Sequence, residues 1–255
     1  MSEKSREEAI VIRQEEIADG VFSMWLKTDE IAKNAKAGQF ISVYCKDGSR
    51  MLPRPISICE IDKKDGALRI VYRVAGKGTE EFSGMRAGMI LDILGPLGNG
   101  FPKKSKKAIL IGGGIGIPPM LELAKELECE KQIVLGYRDE LFLTEEFEKA
   151  GEIYLATEDG SMGTKGTVLD AIRVNELKAD IIYACGPTPM LKAVKEYAKK
   201  AGIECWISME ERMACGIGAC LACVCKSRHK DSHTNVHNKR ICKEGPVFLA
   251  EEVEL

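Results

Sequence analysis

The clearest chemistry lies near the end of the chain. Cys215, Cys220 and Cys223 follow one another as C-x4-C-x2-C, and Cys242 completes the set after a longer gap. A [2Fe–2S] cluster needs four thiolates, two on each iron, and this is the plant-type spacing that supplies them. Its sulfides also need backbone N–H donors. Gly216 and Gly218 allow the positive φ that turns amides inward. Ala214, Ala219 and Ala222 let the backbone come close. Structural zinc is the alternative, but it prefers paired cysteine hooks, and Cys242 has no cysteine beside it. Packed free thiols are the third reading. Cys225 alternates with Cys223 along the chain and reads as a neighbour of the ligand set. Between Cys223 and Cys242 a polar stretch holds His229, His233 and His237. Their spacing of four would align them on a helix as metal ligands, but the composition favours a solvated loop.

Two glycine-bearing turns point to a nucleotide. Lys107 to Met120 reads as a buried strand, a turn containing Gly113, Gly114 and Gly116, and a helix opening on Pro118 and Pro119. Glycines let backbone approach a pyrophosphate, and a helix N-terminus offers it amides. The spacing departs from G-x-G-x-x-G, and a tight structural turn would explain it as well. The second turn is Cys185-Gly186-Pro187, again after a buried strand and before a helix. Ligands of open α/β sheets bind at the carboxyl ends of strands, so the two turns suggest one nucleotide across them. Cys185 suits either core packing or a place near a nicotinamide ring.

A third constellation lies upstream. Arg54, Pro55, Ile56 and Ser57 open a strand, and Arg54 carries the planar fork that matches a phosphate. Val71, Tyr72 and Arg73 end another strand, before a turn with Gly78 and Thr79 that also suits a phosphate.

The elements that must hold these residues fall into three stretches. Residues 1–100 read as six short strands (Ala9–Arg13, Val21–Lys27, Phe40–Cys45, Ile56–Glu60, Leu68–Val74 and Met89–Leu94). Such a run predicts an antiparallel β-barrel, with a helical turn at Thr79–Met85. The breaker cluster Gly95 to Gly100 marks a boundary. Residues 101–209 alternate strands and helices, which predicts a doubly wound parallel sheet. Residues 210–255 form the cysteine segment. The fold class is therefore β plus α/β, with a barrel, a nucleotide domain and a small cluster domain. The 255 residues, with 37 basic and 39 acidic side chains, carry a net charge of −2. That argues against nucleic acid as a partner. No apolar run reaches the roughly 20 residues of a membrane span, and the N-terminus lacks the features of a signal peptide. A cytoplasmic location is expected, where cysteine clusters serve metals rather than disulfides.

The order R-P-x-S, G-x-G-T, GGGIGIPPM and C-G-P-x-x-M-L resembles the ferredoxin–NADP reductase superfamily. The run MERMACGIGACLACVCK…CKEGPVF is similar to the electron-transfer subunits of dihydroorotate dehydrogenase B. The resemblance implies FAD on the barrel, held by Arg54, Pro55, Ile56, Ser57, Val71, Tyr72, Arg73, Gly78 and Thr79. It implies NAD(H) on the α/β domain and a [2Fe–2S] cluster on Cys215, Cys220, Cys223 and Cys242. The long stretch before Cys242 departs from the family pattern. The implied partner is an FMN-containing catalytic subunit, two of each chain forming a heterotetramer. Its dihydroorotate chemistry would send electrons through the cluster and FAD to NAD⁺ for pyrimidine synthesis. No motif for dihydroorotate is seen in this chain, and no Arg pair suits a 2′-phosphate. The alternatives are an NAD(P)H-dependent flavin and iron–sulfur reductase, alone or within a ferredoxin–NADP oxidoreductase complex, and a non-enzymatic metal scaffold.

Overall fold

The computed structural model describes residues 4–138, 140–230 and 235–255. The first strands are β1 (Ser5–Ala18) and β2 (Val21–Lys27), followed by helix α1 (Glu30–Asn34) and β3 (Phe40–Val43). Then come β4 (Arg54–Asp62), β5 (Ala67–Arg73), helix α2 (Lys77–Ser83) and β6 (Ile90–Leu97). These six strands close an antiparallel barrel in the order β1-β2-β5-β4-β3-β6. Period-two patterning sets which side chains fill it. Ile41, Val43, Ile56, Ile58, Leu68 and Ile70 pack inside, each adding about 1.5–3 kcal/mol of burial. Their neighbours Phe40, Ser42, Pro55 and Ser57 therefore take the outer face, with Phe40 opposite Ser57 and Ser42 opposite Pro55.

α1 was not expected from the sequence. Its three leading amides, on Asp29, Glu30 and Ile31, donate to the Glu7 carboxylate of β1 at 2.7–3.0 Å. A side chain from a distant strand thus supplies the acceptor that helix N-termini need.

The second unit begins with β7 (Ala108–Gly113) and a 3₁₀ turn at Gly114–Gly116. It continues through α3 (Pro119–Glu126), β8 (Lys131–Tyr137), α4 (Thr144–Glu148), β9 (Glu152–Thr157) and β10 (Thr164–Lys165). α5 (Val168–Val174), β11 (Ile181–Cys185), α6 (Thr188–Ala201) and β12 (Glu204–Ser208) follow. Prolines at the start of α3, a Thr167–Asp170 capping box on α5 and left-handed Gly202 after α6 fix the helix ends. The sheet order is β10-β9-β8-β7-β11-β12, all parallel. Alternate residues of β7 serve the two faces. Ala108 and Leu110 pack toward α3 and Phe147 of α4, while Ile109 and Ile111 pack toward α5 and α6. The chain reverses direction across the sheet between β7 and β11, the switch point where open α/β sheets bind ligands. The barrel sits on the α3 face, with Val21, Cys59, Val71 and Phe101 sharing its apolar cluster.

The last stretch holds the hairpin β13 (Val224–Lys226) and β14 (Asn238–Arg240), then β15 (Val247–Leu249). β15 adds to the large sheet as an antiparallel edge strand beside β12, an attachment the sequence reading did not contain. Among the described residues no helix is long and apolar enough to cross a membrane.

Candidate cofactor sites

The cysteine loop is built between the barrel and the sheet. Gly216, Gly218 and Leu221 all take positive φ, of 67°, 87° and 59°. Cys215 lies beside Cys220, and Cys242 beside Cys223. The described thiols do not gather as a trio around one point. They stand as two pairs, which is the donor set two irons require. Amides supply the rest of the fit. Ala219 N–H donates to Cys215 Sγ at 3.2 Å, and Cys242 N–H to Cys223 Sγ at 3.4 Å. Burial opposes ionisation of Cys215, but the amides of Ile217, Cys220 and Ala219 outweigh it and lower its pKa. Burial, the Cys223 hydrogen bond and the neighbouring thiols raise that of Cys242. Cys225 lies on β13 opposite Lys239.

Three residues around this loop and Cys242 were not announced by the sequence. Arg240 donates to the Gly218 carbonyl at 2.8 Å while paired with Glu244. Asn99, from the breaker cluster read only as a boundary, donates to the Glu244 carbonyl at 2.8 Å, and its N–H to Gly245 O at 2.6 Å. Ser42 of the barrel lies directly under Gly216, where an added Cβ would come within 2.8 Å of its Oγ. His229 and His237 are exposed on opposite limbs of the β13–β14 hairpin, not along one helix. His233 lies outside the described residues.

The flavin candidates gather at one end of β4 and β5. The Arg54 guanidinium lies over Gly78, where a Cβ would sit 2.3 Å from Nε, so any larger residue there would displace the guanidinium. Thr79 ties the turn, its Oγ1 accepting from Ala75 and Gly76 amides at 2.9 and 3.2 Å. A fixed guanidinium beside a glycine turn is a donor set that fits a phosphate. Pro55 and Ser57 are half-buried on the outer face, whereas Ile56 fills the barrel. The Tyr72 ring is buried against Phe82, and its hydroxyl donates to Gln14 at 2.9 Å. Tyr72 can therefore meet a ligand only through its backbone. Val71 faces the sheet unit, and Arg73 is exposed.

The nucleotide candidates meet at the switch point, since Cys185 of β11 pairs with Gly112 of β7. Their glycines have another task as well. A Cβ on Gly116 would lie 2.5 Å from the Cys185 carbonyl oxygen and the Gly186 nitrogen. One on Gly113 or Gly186 would strike Met190 at 2.4–2.5 Å. These three glycines let the two turns pack on each other. Gly114, at φ 53° with nothing within 4 Å of its Cβ position, faces open space. Pro187 is exposed beside them. Burial pushes the Cys185 thiol up to about 12 against a hydrogen bond with the Ser208 side chain, so it stays protonated.

Barrel first and parallel sheet second is the architecture of ferredoxin reductase-like oxidoreductases, and solved structures place the chain in that class. A chain of an NADH-dependent reduced ferredoxin–NADP oxidoreductase, studied for flavin-based electron bifurcation, matches with a TM-score of 0.87. It is 31% identical, covering 97% of this chain and 90% of that one. A cytochrome P450 reductase from Amycolatopsis shares the fold at a TM-score of 0.67 and 22% identity, covering 78% of this chain and 67% of that one. The cysteine segment narrows the class. The family model for the iron–sulfur cluster binding domain of dihydroorotate dehydrogenase B matches residues 210–254. Relatives named dihydroorotate dehydrogenase B (NAD(+)), electron transfer subunit, align from end to end. That of Fusobacterium nucleatum is 43% identical over 98% of both chains. That of Caldanaerobacter subterraneus is 44% identical over 96% of this chain and 97% of its own. The chain belongs to this family of electron-transfer subunits. It is an oxidoreductase subunit whose cofactors are FAD, NAD(H) and a [2Fe–2S] cluster, and it works with a catalytic partner subunit.

Proposed function

We propose that this chain links a dihydroorotate-oxidising, FMN-containing catalytic subunit to NAD⁺, in a cytoplasmic heterotetramer with two copies of each chain. The carrying observation is identity of 42–44% along almost the whole length to chains named for that role. Cys215 and Cys220 hold one iron, and Cys223 and Cys242 the other. Arg54, Gly78 and Thr79 take the flavin phosphates. Pro55, Ile56, Ser57, Val71, Tyr72 and Arg73 border the rest of the FAD, Tyr72 through its backbone. Gly113, Gly114, Gly116, Cys185, Gly186 and Pro187 form the NAD(H) crevice, where Cys185 stays a neutral thiol. The working units are residues 1–100, 101–209 and 210–255, the last tied to the second by β15. When bound, the cluster carries single electrons, the flavin handles one or two, and the nicotinamide takes a hydride. Ile217, Leu221 and Val224 are exposed around the cysteine loop. They give the catalytic subunit an apolar face over a thin cover, since Gly216 and Gly218 lie just beneath. None of the ten cysteines is in a disulfide, which suits a reducing compartment.

The match to the ferredoxin–NADP oxidoreductase chain supports a second reading, in which the partner is a ferredoxin-linked flavoprotein. Anaerobic affinity purification, with flavin and iron analysis and identification of co-purifying chains, separates the two. An FMN protein that oxidises dihydroorotate is the expected partner. A ferredoxin-dependent partner would favour the second reading.

A further inference from the structure

Ser42 occupies a position that the family motifs do not mark. It lies on β3 with no exposed surface, and its Oγ has no hydrogen-bond partner among the described residues. Leaving a buried hydroxyl unpaired costs on the order of 1–3 kcal/mol, so such a group calls for an explanation. Two neighbours supply one. On one side the hydroxyl faces Gly216, next to Cys215 in the cysteine loop, closely enough that any side chain there would collide with it. On the other side Ser42 is registered opposite Pro55 in the strand proposed to border FAD. The remaining close neighbour of Gly216 is the apolar Leu97. The acceptors this pocket lacks are the sulfide atoms that a bound cluster would bring.

We infer that Ser42 is the barrel's hydrogen-bond donor to the cluster, a positioning residue that sets its reduction potential from the flavin side. The inference rests on the reading of Cys215, Cys220, Cys223 and Cys242 as cluster ligands. Hydrogen bonds to cluster sulfur stabilise the more negative, reduced state and raise the potential. The other donors to these sulfurs are backbone amides, which only a substitution by proline would remove. Ser42 is the side chain through which the barrel acts.

The test compares wild type, Ser42→Ala and Ser42→Thr, each purified anaerobically with its partner subunit. Iron content and the visible spectrum are read first, then the cluster midpoint by EPR-monitored titration. Proton couplings of the reduced cluster are measured by ENDOR in H₂O and D₂O. Ser42→Ala is expected to keep its iron, to titrate at a more negative potential and to lose one exchangeable proton coupling. Ser42→Thr, which keeps the hydroxyl, should restore both. A fully loaded Ser42→Ala protein with unchanged potential and unchanged couplings overturns the role of Ser42 and leaves the ligand assignment standing. Wild-type protein without iron or the spectrum of a two-iron cluster overturns the ligand assignment and the inference with it.

Discussion

Replacing Glu122 by Gln should make the protein more stable at alkaline pH and leave it unchanged at acid pH. Glu122 projects from α3 into the seam with the barrel, is 8% exposed, and accepts the Ile61 N–H of β4 at 2.9 Å. Its surroundings are charged. Glu60 of β4 pairs with Arg69 at 2.6 Å and with Lys125 of α3, and Arg69 reaches Glu146 of α4 at 3.2 Å. Burial dominates for Glu122 and raises its pKa to about 7, with Glu126 and Glu60 adding to the rise and the Ile61 amide and Lys125 opposing it. The sign follows from linkage. Between the unfolded value of 4.5 and about 7 the folded state binds the extra proton. The stabilisation is complete below this window and is lost as pH rises through it. A shift of that size is worth about 3 kcal/mol at 1.36 kcal/mol per unit. Gln keeps an acceptor for Ile61 and carries no charge. Thermal or denaturant unfolding of both proteins should coincide near pH 4.5. They should diverge to a few kcal/mol in favour of Glu122→Gln by pH 8, several degrees in melting temperature for a chain of this size. Acidic groups elsewhere cancel in the comparison. A stability gap that does not change with pH would refute the account of a proton held at this seam.

Cys220→Ser should lose most iron and retain FAD, because the exposed cysteine loop and the Arg54–Gly78 turn are separate structures; metal and flavin analysis of the purified variant checks this. Arg54→Ala should weaken FAD binding by about ten- to a hundredfold, the worth of a charge-assisted contact of roughly 1.5–3 kcal/mol. Unchanged flavin retention after dilution and dialysis would count against the phosphate role. Gly116→Ala puts a methyl group 2.5 Å from the Cys185 carbonyl and should cost about 1–3 kcal/mol in unfolding stability. Gly114→Ala, in open space but at φ 53°, should cost about 1–2 kcal/mol through backbone strain alone.

The features legible in the sequence were those carried by local pattern. Apolar and β-branched runs along β5 and β7 gave strands within a residue or so of those observed, and the cysteine spacing proposed a donor set in which Cys215 lies beside Cys220 and Cys242 beside Cys223. The glycine turns were found, but half their purpose was missed. Gly116 is demanded by a carbonyl from another strand end, which one-dimensional reading cannot see. α1 is short and is capped by Glu7, 22 residues earlier at its closest link. β15 has three residues and takes its place only by pairing with β12. Asn99 reaches Glu244, just past Cys242, across 145 residues, and a breaker cluster gave no hint of that contact. What was hidden in each case is a non-local partner.

The central claim is that this chain carries electrons between a dihydroorotate-oxidising subunit and NAD⁺. The most direct measurement is NADH formation from dihydroorotate and NAD⁺ by the purified two-subunit complex, beside each subunit alone and a complex carrying Cys223→Ser. The wild-type complex should form NADH. This chain alone should form none while still reducing a flavin-accepting dye from NADH. The Cys223→Ser complex should keep that dye activity and lose the coupled reaction. Coupled turnover that persists in a folded Cys223→Ser complex lacking the cluster would contradict the account.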